Sequence, residues 1–236
     1  AAMDTLLAAL EHEDGGVRYR VFLALEEMAR RFPNLHLDRA AIESAIVADT
    51  IRYFRRFATF YVLFKEWQEP PSKGGWLLRQ ALIDSMERVK DRAIYLLSLI
   101  YPRTEISPAF AALQSNDPVK RAYAVELLDN LLTGKVKQYL FSLFEDVPAN
   151  RKYEKFLGLL GWKPFNRVAA IEWLLGQEDA VLTAATVWEV GVRKLPGFEE
   201  KLTALAQSEN LMLKETAELV LSGVNFDGKG QEAYNH

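Results

Sequence analysis

Short turn segments recur at a fixed spacing in the second half of this 236-residue chain. The segments LQSNDPVKR, LLGQEDAVLT and LAQSENLMLK align on Asp117, Asp179 and Asn210, which are separated by 62 and then 31 residues. Pro148 of LFEDVPAN falls on the same 31-residue grid. This spacing accommodates two helices of about 12 residues and two short turns, which is the size of one unit in a helical repeat protein.

The segments between these turns have the periodicity of helices. Apolar residues recur at three- and four-residue steps, as Val21, Leu25 and Met28 do in RYRVFLALEEMARRF. Glycine and proline are sparse, at 13 and 9 residues. Runs with the two-residue alternation of strands are nearly absent. The sequence therefore predicts that the whole domain is helical.

The turn residues are suited to begin a helix. Asp or Asn before a helix accepts hydrogen bonds from the free N–H groups of its first turn, and Pro118 stands where no donor is needed. An apolar and a basic residue follow three and four positions later, as Val17 and Arg18 follow Asp14. The pattern D-x-x-V-R-x-x-x-x-x-A-L resembles a HEAT repeat. We therefore predict a right-handed α-solenoid of HEAT-like helix pairs, an α/α superhelix.

The copies of this turn differ at single positions. Lys120 holds the apolar place in the second copy, although Arg121 keeps the basic one. Thr183 replaces the basic residue in a later copy, and Lys214 restores it in the last. We predict that the basic residue reaches an aspartate of its own turn or of the neighbouring turn.

The first half of the chain departs from the 31-residue spacing. Asp14 and Asp117 are 103 residues apart, so a longer element is inserted between them. We predict a pair of long helices at roughly 38–68 and 76–101, separated by the breaker segment QEPPSKGGW. The predicted domain organisation is one HEAT-repeat domain over residues 1–222, with the inserted pair at about 38–101, and a flexible tail over residues 223–236.

The stretch IRYFRRFATFYVLFKEW within the insertion is rich in aromatic and basic residues. Its charge-free run, Phe57 to Phe64, is much shorter than the roughly 20 residues that a membrane span needs. An amphipathic helix at a membrane surface and a stacking surface for single-stranded nucleic acid are alternatives. We favour a helix buried between its neighbours, with the aromatic side chains inside and a strip of Arg52, Arg55 and Arg56 directed outward.

Composition excludes several kinds of chemistry. The chain has no cysteine, and its three histidines lack ligand spacing, so we expect no metal and no cofactor. Its net charge of −3 disfavours general binding to nucleic acid. No P-loop, nucleophile elbow or HExxH motif is present, and we predict that the protein is not an enzyme.

Residues 77–132 resemble a known bacterial protein region. The features that carry the resemblance are LLSLIYP, Leu96 to Pro102, and the pattern ND-P…R-A-x-A-x-E-L-L-D-N-L-L, Asn116 to Leu132. They are similar to the soluble HEAT-repeat region that follows the membrane part of major-facilitator proteins related to ADP,ATP carriers. The resemblance implies a cytoplasmic module tethered to the inner membrane by an upstream transporter domain. The opening AAMDTLL agrees with a fragment of a longer protein.

The leading functional prediction is a non-catalytic interaction or regulatory module. Its expected partner is another protein or the transporter's own membrane domain, with no nucleic acid and no transmembrane segment in this chain. The candidate contact residues are basic: Arg18, Arg52, Arg55, Arg56, Arg121 and Lys214. The alternative is a HEAT-like enzyme, either an alkylpurine DNA glycosylase using tryptophans and Asp117 or a relative of the bilin lyases. The sequence leaves the oligomeric state open.

Overall fold

The structure, a computed structural model, describes residues 2–12, 14–32, 34–65, 73–113, 115, 117–145 and 147–223. These residues are predominantly helical, and no strand occurs among them, which confirms the all-α prediction. The tail predicted to be flexible lies outside the described residues from Val224 onward, as does the predicted loop from Gln68 to Ser72.

Two long helices and a series of shorter ones make up the described part of the chain. In chain order the helices are α1 (Ala2–Ala8), α2 (Gly15–Arg31), α3 (Arg39–Phe64), α4 (Lys73–Ile100), α5 (Arg103–Leu113), α6 (Pro118–Leu131), α7 (Gly134–Phe144), α8 (Ala149–Leu160), α9 (Arg167–Leu175), α10 (Ala180–Arg193), α11 (Glu199–Leu205) and α12 (Leu211–Leu221). A single 3₁₀ turn, Ala9–Glu11, follows α1. The long helices α3 and α4 lie close to their predicted ranges.

The chain divides into two compact units. Unit 1 contains Ala1–Ala58 and Met86–Trp162, and unit 2 contains Thr59–Ser85 and Lys163–His236. Both α3 and α4 therefore supply residues to each unit. The prediction of one domain over residues 1–222 stays a prediction.

The predicted turn residues occupy equivalent positions. Asp14, Asp117, Asp179 and Asn210 each precede a helix in extended conformation, and each side chain accepts a hydrogen bond from an N–H group of the first turn. The donors are Gly16 N at 2.6 Å, Val119 N at 2.9 Å, Leu182 N at 3.2 Å and Leu213 N at 3.3 Å. Pro148 precedes α8 without a side-chain cap. The spacing in the sequence thus corresponds to a recurring capped turn.

The residue four positions after the turn residue contacts the backbone that precedes the turn residue. In four copies it donates a hydrogen bond to a backbone carbonyl: Arg18 Nη1 to His12 (2.6 Å), Arg121 Nη1 to Ser115 (3.2 Å), Lys152 Nζ to Glu145 (3.3 Å) and Thr183 Oγ1 to Gln177 (2.9 Å). The acceptor within the turn is a carbonyl oxygen rather than the predicted aspartate. Thr183 fits the pattern because its hydroxyl replaces the cation as donor. Lys214, the next in register, is exposed.

The aromatic stretch of α3 is divided: its residues up to Ala58 belong to unit 1, whereas Phe60 and Phe64 pack against the core of unit 2. Phe54 is fully buried, and its ring stacks on Phe156 of α8 with 3.8 Å between centroids. The ring of Tyr139 of α7 is nearly parallel to that of Phe54, with 6.1 Å between centroids. These contacts confirm the interpretation of this stretch as a buried helix. Among the described residues, no helix is long and apolar enough to cross a membrane.

Unit 2 is built on two successive helix pairs. Helix α9 packs against α10, α11 packs against α12, and α10 also packs against α12. The core is apolar, with Leu82, Leu174 and Val187 fully buried. At the start of α4, a Cβ atom on Gly74 would lie 3.2 Å from the Cα atom of Glu189. Glycine is therefore required there by the close approach of two helices.

Candidate functional site

A cluster of charged side chains in unit 1 surrounds Asp49, which is fully buried on α3. Three arginines from three helices approach its carboxylate. The nitrogen-to-oxygen distances are 3.0 Å for Arg52 Nη1 on α3, 3.1 Å for Arg92 Nε on α4 and 3.9 Å for Arg18 Nε on α2. We refer to Arg18, Asp49, Arg52 and Arg92 as the arginine cluster.

Each arginine of the cluster also donates to a backbone carbonyl at the end of the 3₁₀ turn. Arg92 Nη2 donates to Leu10 O at 2.6 Å, Arg52 Nη2 to Glu11 O at 3.1 Å and Arg18 Nη1 to His12 O at 2.6 Å. Carbonyls at the carboxyl end of a helical turn lack partners in that turn and carry partial negative charge. Three guanidinium groups are thus balanced by one carboxylate and three consecutive carbonyls.

Burial and charge act in opposite directions inside this cluster. Burial raises the pKa of Asp49, while the charges of Arg92, Arg52 and Arg18 act to lower it. Burial also lowers the pKa of Arg92 to about 10, against the effect of Asp49. At neutral pH, Arg92 therefore remains protonated, and its ion pair with Asp49 depends on the other groups that compensate the loss of water.

The arginine cluster is suited to holding backbone segments together rather than to acid–base catalysis. A guanidinium group keeps its proton near neutral pH, so the arginines cannot act as general acids or bases. The Asp49 carboxylate is enclosed by them and has no access to solvent. What the cluster does hold is backbone: it ties Leu10, Glu11 and His12 to α2, α3 and α4.

The other predicted contact residues are also mostly engaged within the protein. Arg56 is buried and donates to Arg52 O at 3.4 Å, and half-buried Arg55 lies over the ring of Trp162 at 5.4 Å. The prediction of an outward strip is therefore wrong for Arg56, which is buried, whereas Arg52 and Arg55 are partly exposed. Arg18 is only 5% exposed and cannot contact a partner in this structure. Of the six predicted residues, only Lys214 has an exposed side chain.

Two members of the cluster, Asp49 and Arg92, were not identified from the sequence. Both stand on helix faces that are otherwise apolar: Asp49 follows Ile46 by three residues, and Arg92 precedes Leu96 by four. A charge on the buried stripe of a helix signals a compensating partner. Nothing in the sequence shows that the partners come from α2 and from the carbonyls after α1.

Two exposed pairs of residues, each made of one tyrosine and one aliphatic residue, lie on helices that follow the recurring turn in unit 1. We call them the tyrosine pairs. Helix α2 presents Tyr19 and Leu23, and α6 presents Val119 and Tyr123, each pair one helical turn apart. The exposed fractions are 53% and 42% on α2 and 76% and 66% on α6. Buried Phe22 of α2 stacks on half-exposed Tyr95 of α4 with 5.5 Å between centroids.

The residues considered for enzyme chemistry have other surroundings. The Asp117 carboxylate accepts hydrogen bonds from Val119 N at 2.9 Å and Lys120 N at 3.4 Å, as a helix cap does. Trp162 lies against Arg55 in unit 1. Within the described residues, no group of three His, Asp or Glu side chains is placed to hold a metal ion.

Comparison of the chain with protein-family models, with curated proteins and with solved structures finds no match in any of the three.

Proposed function

We propose that this protein is a non-catalytic protein-interaction module made of HEAT-like repeats, and that it forms the cytoplasmic part of a bacterial membrane transporter. The recurring capped turn supports the finer architecture, a right-handed stack of helix pairs, because each copy begins its second helix in the same way. The resemblance of residues 77–132 to transporter-associated regions supports the attachment to a membrane protein.

The observation that supports a binding function most strongly is the exposure of the two tyrosine pairs, Tyr19–Leu23 and Val119–Tyr123. An exposed apolar side chain contributes little to the stability of its own fold. Tyrosine supplies large contact area with few rotatable bonds and a polar tip, and it is enriched where proteins meet. Both pairs lie on helices that follow the recurring capped turn, and we place the contact surface on these helices.

The basic residues have a different part in this proposal. Arg18 and Arg52 hold the segment that ends at His12, and Arg121 holds its own turn at Ser115. They therefore maintain the surface without touching the partner. The partner contacts are assigned instead to the tyrosine pairs.

The attachment to a transporter is tested by the natural gene. Translation upstream of the codon for Ala1 is expected to show a series of hydrophobic segments long enough to span a membrane. A start codon at or near Met3 would overturn this part of the proposal and leave the interaction module standing.

The contact surface is tested by photocrosslinking in the natural host. A photoreactive amino acid replaces Tyr19 or Tyr123, and the control replaces Lys135, an exposed residue of α7. Cross-linked peptides identified by mass spectrometry are expected from a membrane protein, or from the upstream part of the same protein, at the tyrosine positions alone. Equal products at Lys135, or none at either tyrosine, would contradict the assignment.

A further inference from the structure

One exposed flank of α12 in unit 2 carries a regular stripe of residues. Leu211, Lys214, Glu218 and Leu221 are all exposed, with Leu211 at 65% and Leu221 at 42%. Their spacing of three, four and three residues places them in one line along the helix, as in the contact seam of paired helices. Fully buried Ala217 borders this line, because it lies one helical turn from both Lys214 and Leu221. We call these four residues the α12 stripe.

The α12 stripe is complementary to a second, antiparallel copy of itself. If a second α12 lies antiparallel, Leu211 of one copy faces Leu221 of the other, and Lys214 faces Glu218. A two-fold axis makes each of these contacts twice. A parallel arrangement would instead place lysine against lysine and glutamate against glutamate, which is repulsive.

A second observation concerns Lys214 alone. Arg121, Lys152 and Thr183 occupy the same register at 31-residue spacing, and each donates to a carbonyl of its turn. Lys214 is exposed, and in the described residues neither Lys214 nor Glu218 takes part in an ion pair. The side chain that donates inside the protein in the earlier copies is therefore available to a partner in the last one.

We propose that two copies of this chain associate through the α12 stripe, with their α12 helices antiparallel. The seam is short, because α12 has only 11 residues and is about 16 Å long. The contact area is then at the low end for protein interfaces, and the association is weak and reversible. This inference does not depend on the proposed attachment to a transporter.

The charge pairs are tested by sedimentation equilibrium of the full chain at concentrations from about 10 µM to 1 mM. Lys214→Glu and Glu218→Lys each create two like-charge contacts in the antiparallel pair. Each is expected to weaken self-association by about tenfold. The double variant K214E/E218K restores both pairs and is expected to return to the affinity of the original protein. Lys120→Glu on α6 is the control for a change of net charge, and circular dichroism verifies the helix content.

The orientation is tested with cysteine reporters, since the chain has no cysteine of its own. Leu211→Cys and Leu221→Cys proteins are oxidised separately and as an equal mixture. An antiparallel pair is expected to give much more disulfide-linked dimer in the mixture, because residues 211 and 221 face each other while identical positions lie about 15 Å apart along the helix. A monomer at every concentration, a double variant as weak as the single ones, or no excess of mixed dimer would overturn the proposal.

Discussion

The two units of this protein use buried polar groups in different ways. Unit 1 buries titratable side chains, with Arg18, Asp49 and Arg92 in one connected cluster. Among the described residues of unit 2, most buried polar groups are hydroxyls: Thr183 Oγ1 donates to Gln177 O at 2.9 Å, and Thr186 Oγ1 donates to Leu182 O at 2.8 Å. The buried carboxylate of Glu189 is paired with Arg193 of its own helix rather than with a cluster from several helices.

The difference shows that the same capped turn can occur beside a core with a buried charge cluster and beside a mainly apolar core. Arg18 and Thr183 stand at the same position after the turn residue, and both donate to a carbonyl six residues before them. Arg18 also reaches Asp49 on another helix, and Thr183 has no need of such a partner because its hydroxyl is neutral. Unit 1 therefore depends on the completeness of a charge cluster, whereas unit 2 depends on close apolar packing.

The largest expected effect comes from removing the buried carboxylate of the arginine cluster in unit 1. Asp49→Asn leaves three guanidinium groups without their carboxylate, and we expect a loss of about 3–5 kcal/mol in the free energy of unfolding. Urea denaturation followed by circular dichroism measures it. Asp129→Asn, which breaks the exposed ion pair with Lys137, is the control and should cost about 1 kcal/mol or less. Equal costs for the two variants would mean that the cluster does not stabilise unit 1.

A comparison of two equivalent arginines separates the turn from the cluster. Arg18→Met removes both the bond to His12 O and the charge beside Asp49, and we expect a loss of about 3 kcal/mol. Arg121→Met removes the bond to Ser115 O alone and should cost about 1 kcal/mol. The same denaturation experiment measures both. Similar losses would show that the turn bond, and not the cluster, accounts for the effect.

The packing of unit 2 is tested at Gly74. An added Cβ would lie 2.9 Å from Trp188 Cδ1 and 3.2 Å from the Glu189 Cα atom, so Gly74→Ala is expected to destabilise the protein by about 1–3 kcal/mol. Gly158→Ala on α8 is the matched control, because no atom lies within 4 Å of its Cβ position. That variant should stabilise by about 0.5–1 kcal/mol. Thermal unfolding distinguishes the two signs, and a stabilised Gly74→Ala protein would refute the close approach.

The smallest expected effect concerns the aromatic core of unit 1 at high pH. Burial raises the pKa of Tyr53 to about 12, and the negative charge of Glu87 adds to the shift. Between about pH 10 and 12 the folded protein keeps a phenol proton that the unfolded chain loses, so stability falls as pH rises. Tyr53→Phe should reduce that fall. The exposed Tyr123→Phe is the control, and equal pH dependence in the two variants would contradict the burial argument.

Much of the local structure followed from the sequence. Asp117, Asp179 and Asn210 were predicted as equivalent turn residues, and all three cap helices. The long helices were also placed within a few residues of their observed ranges. Helix α4 begins at Lys73 rather than at the predicted residue 76, so it includes Gly74 and Gly75. Capping and periodicity act over four residues or so, and a sequence displays such short-range effects directly.

The candidate site was predicted far less well. Arg52 and Arg56 were expected on an outer strip, but Arg56 is buried and Arg52 is tied to Asp49 and to Glu11 O. Their partners lie as far as 41 residues away in the chain, and a carbonyl acceptor has no signature in the sequence. Lys214 is exposed, and its role as a contact residue stays a prediction.

The sequence by itself determined where helices start, which stripes are apolar and how often the turn recurs, since these depend on neighbours within one or two helical turns. The tertiary structure alone decided which charges are buried and which remain at the surface. That decision depends on which helices bring oxygen atoms to a guanidinium group, because a buried charge is tolerated only where its partners are already in place.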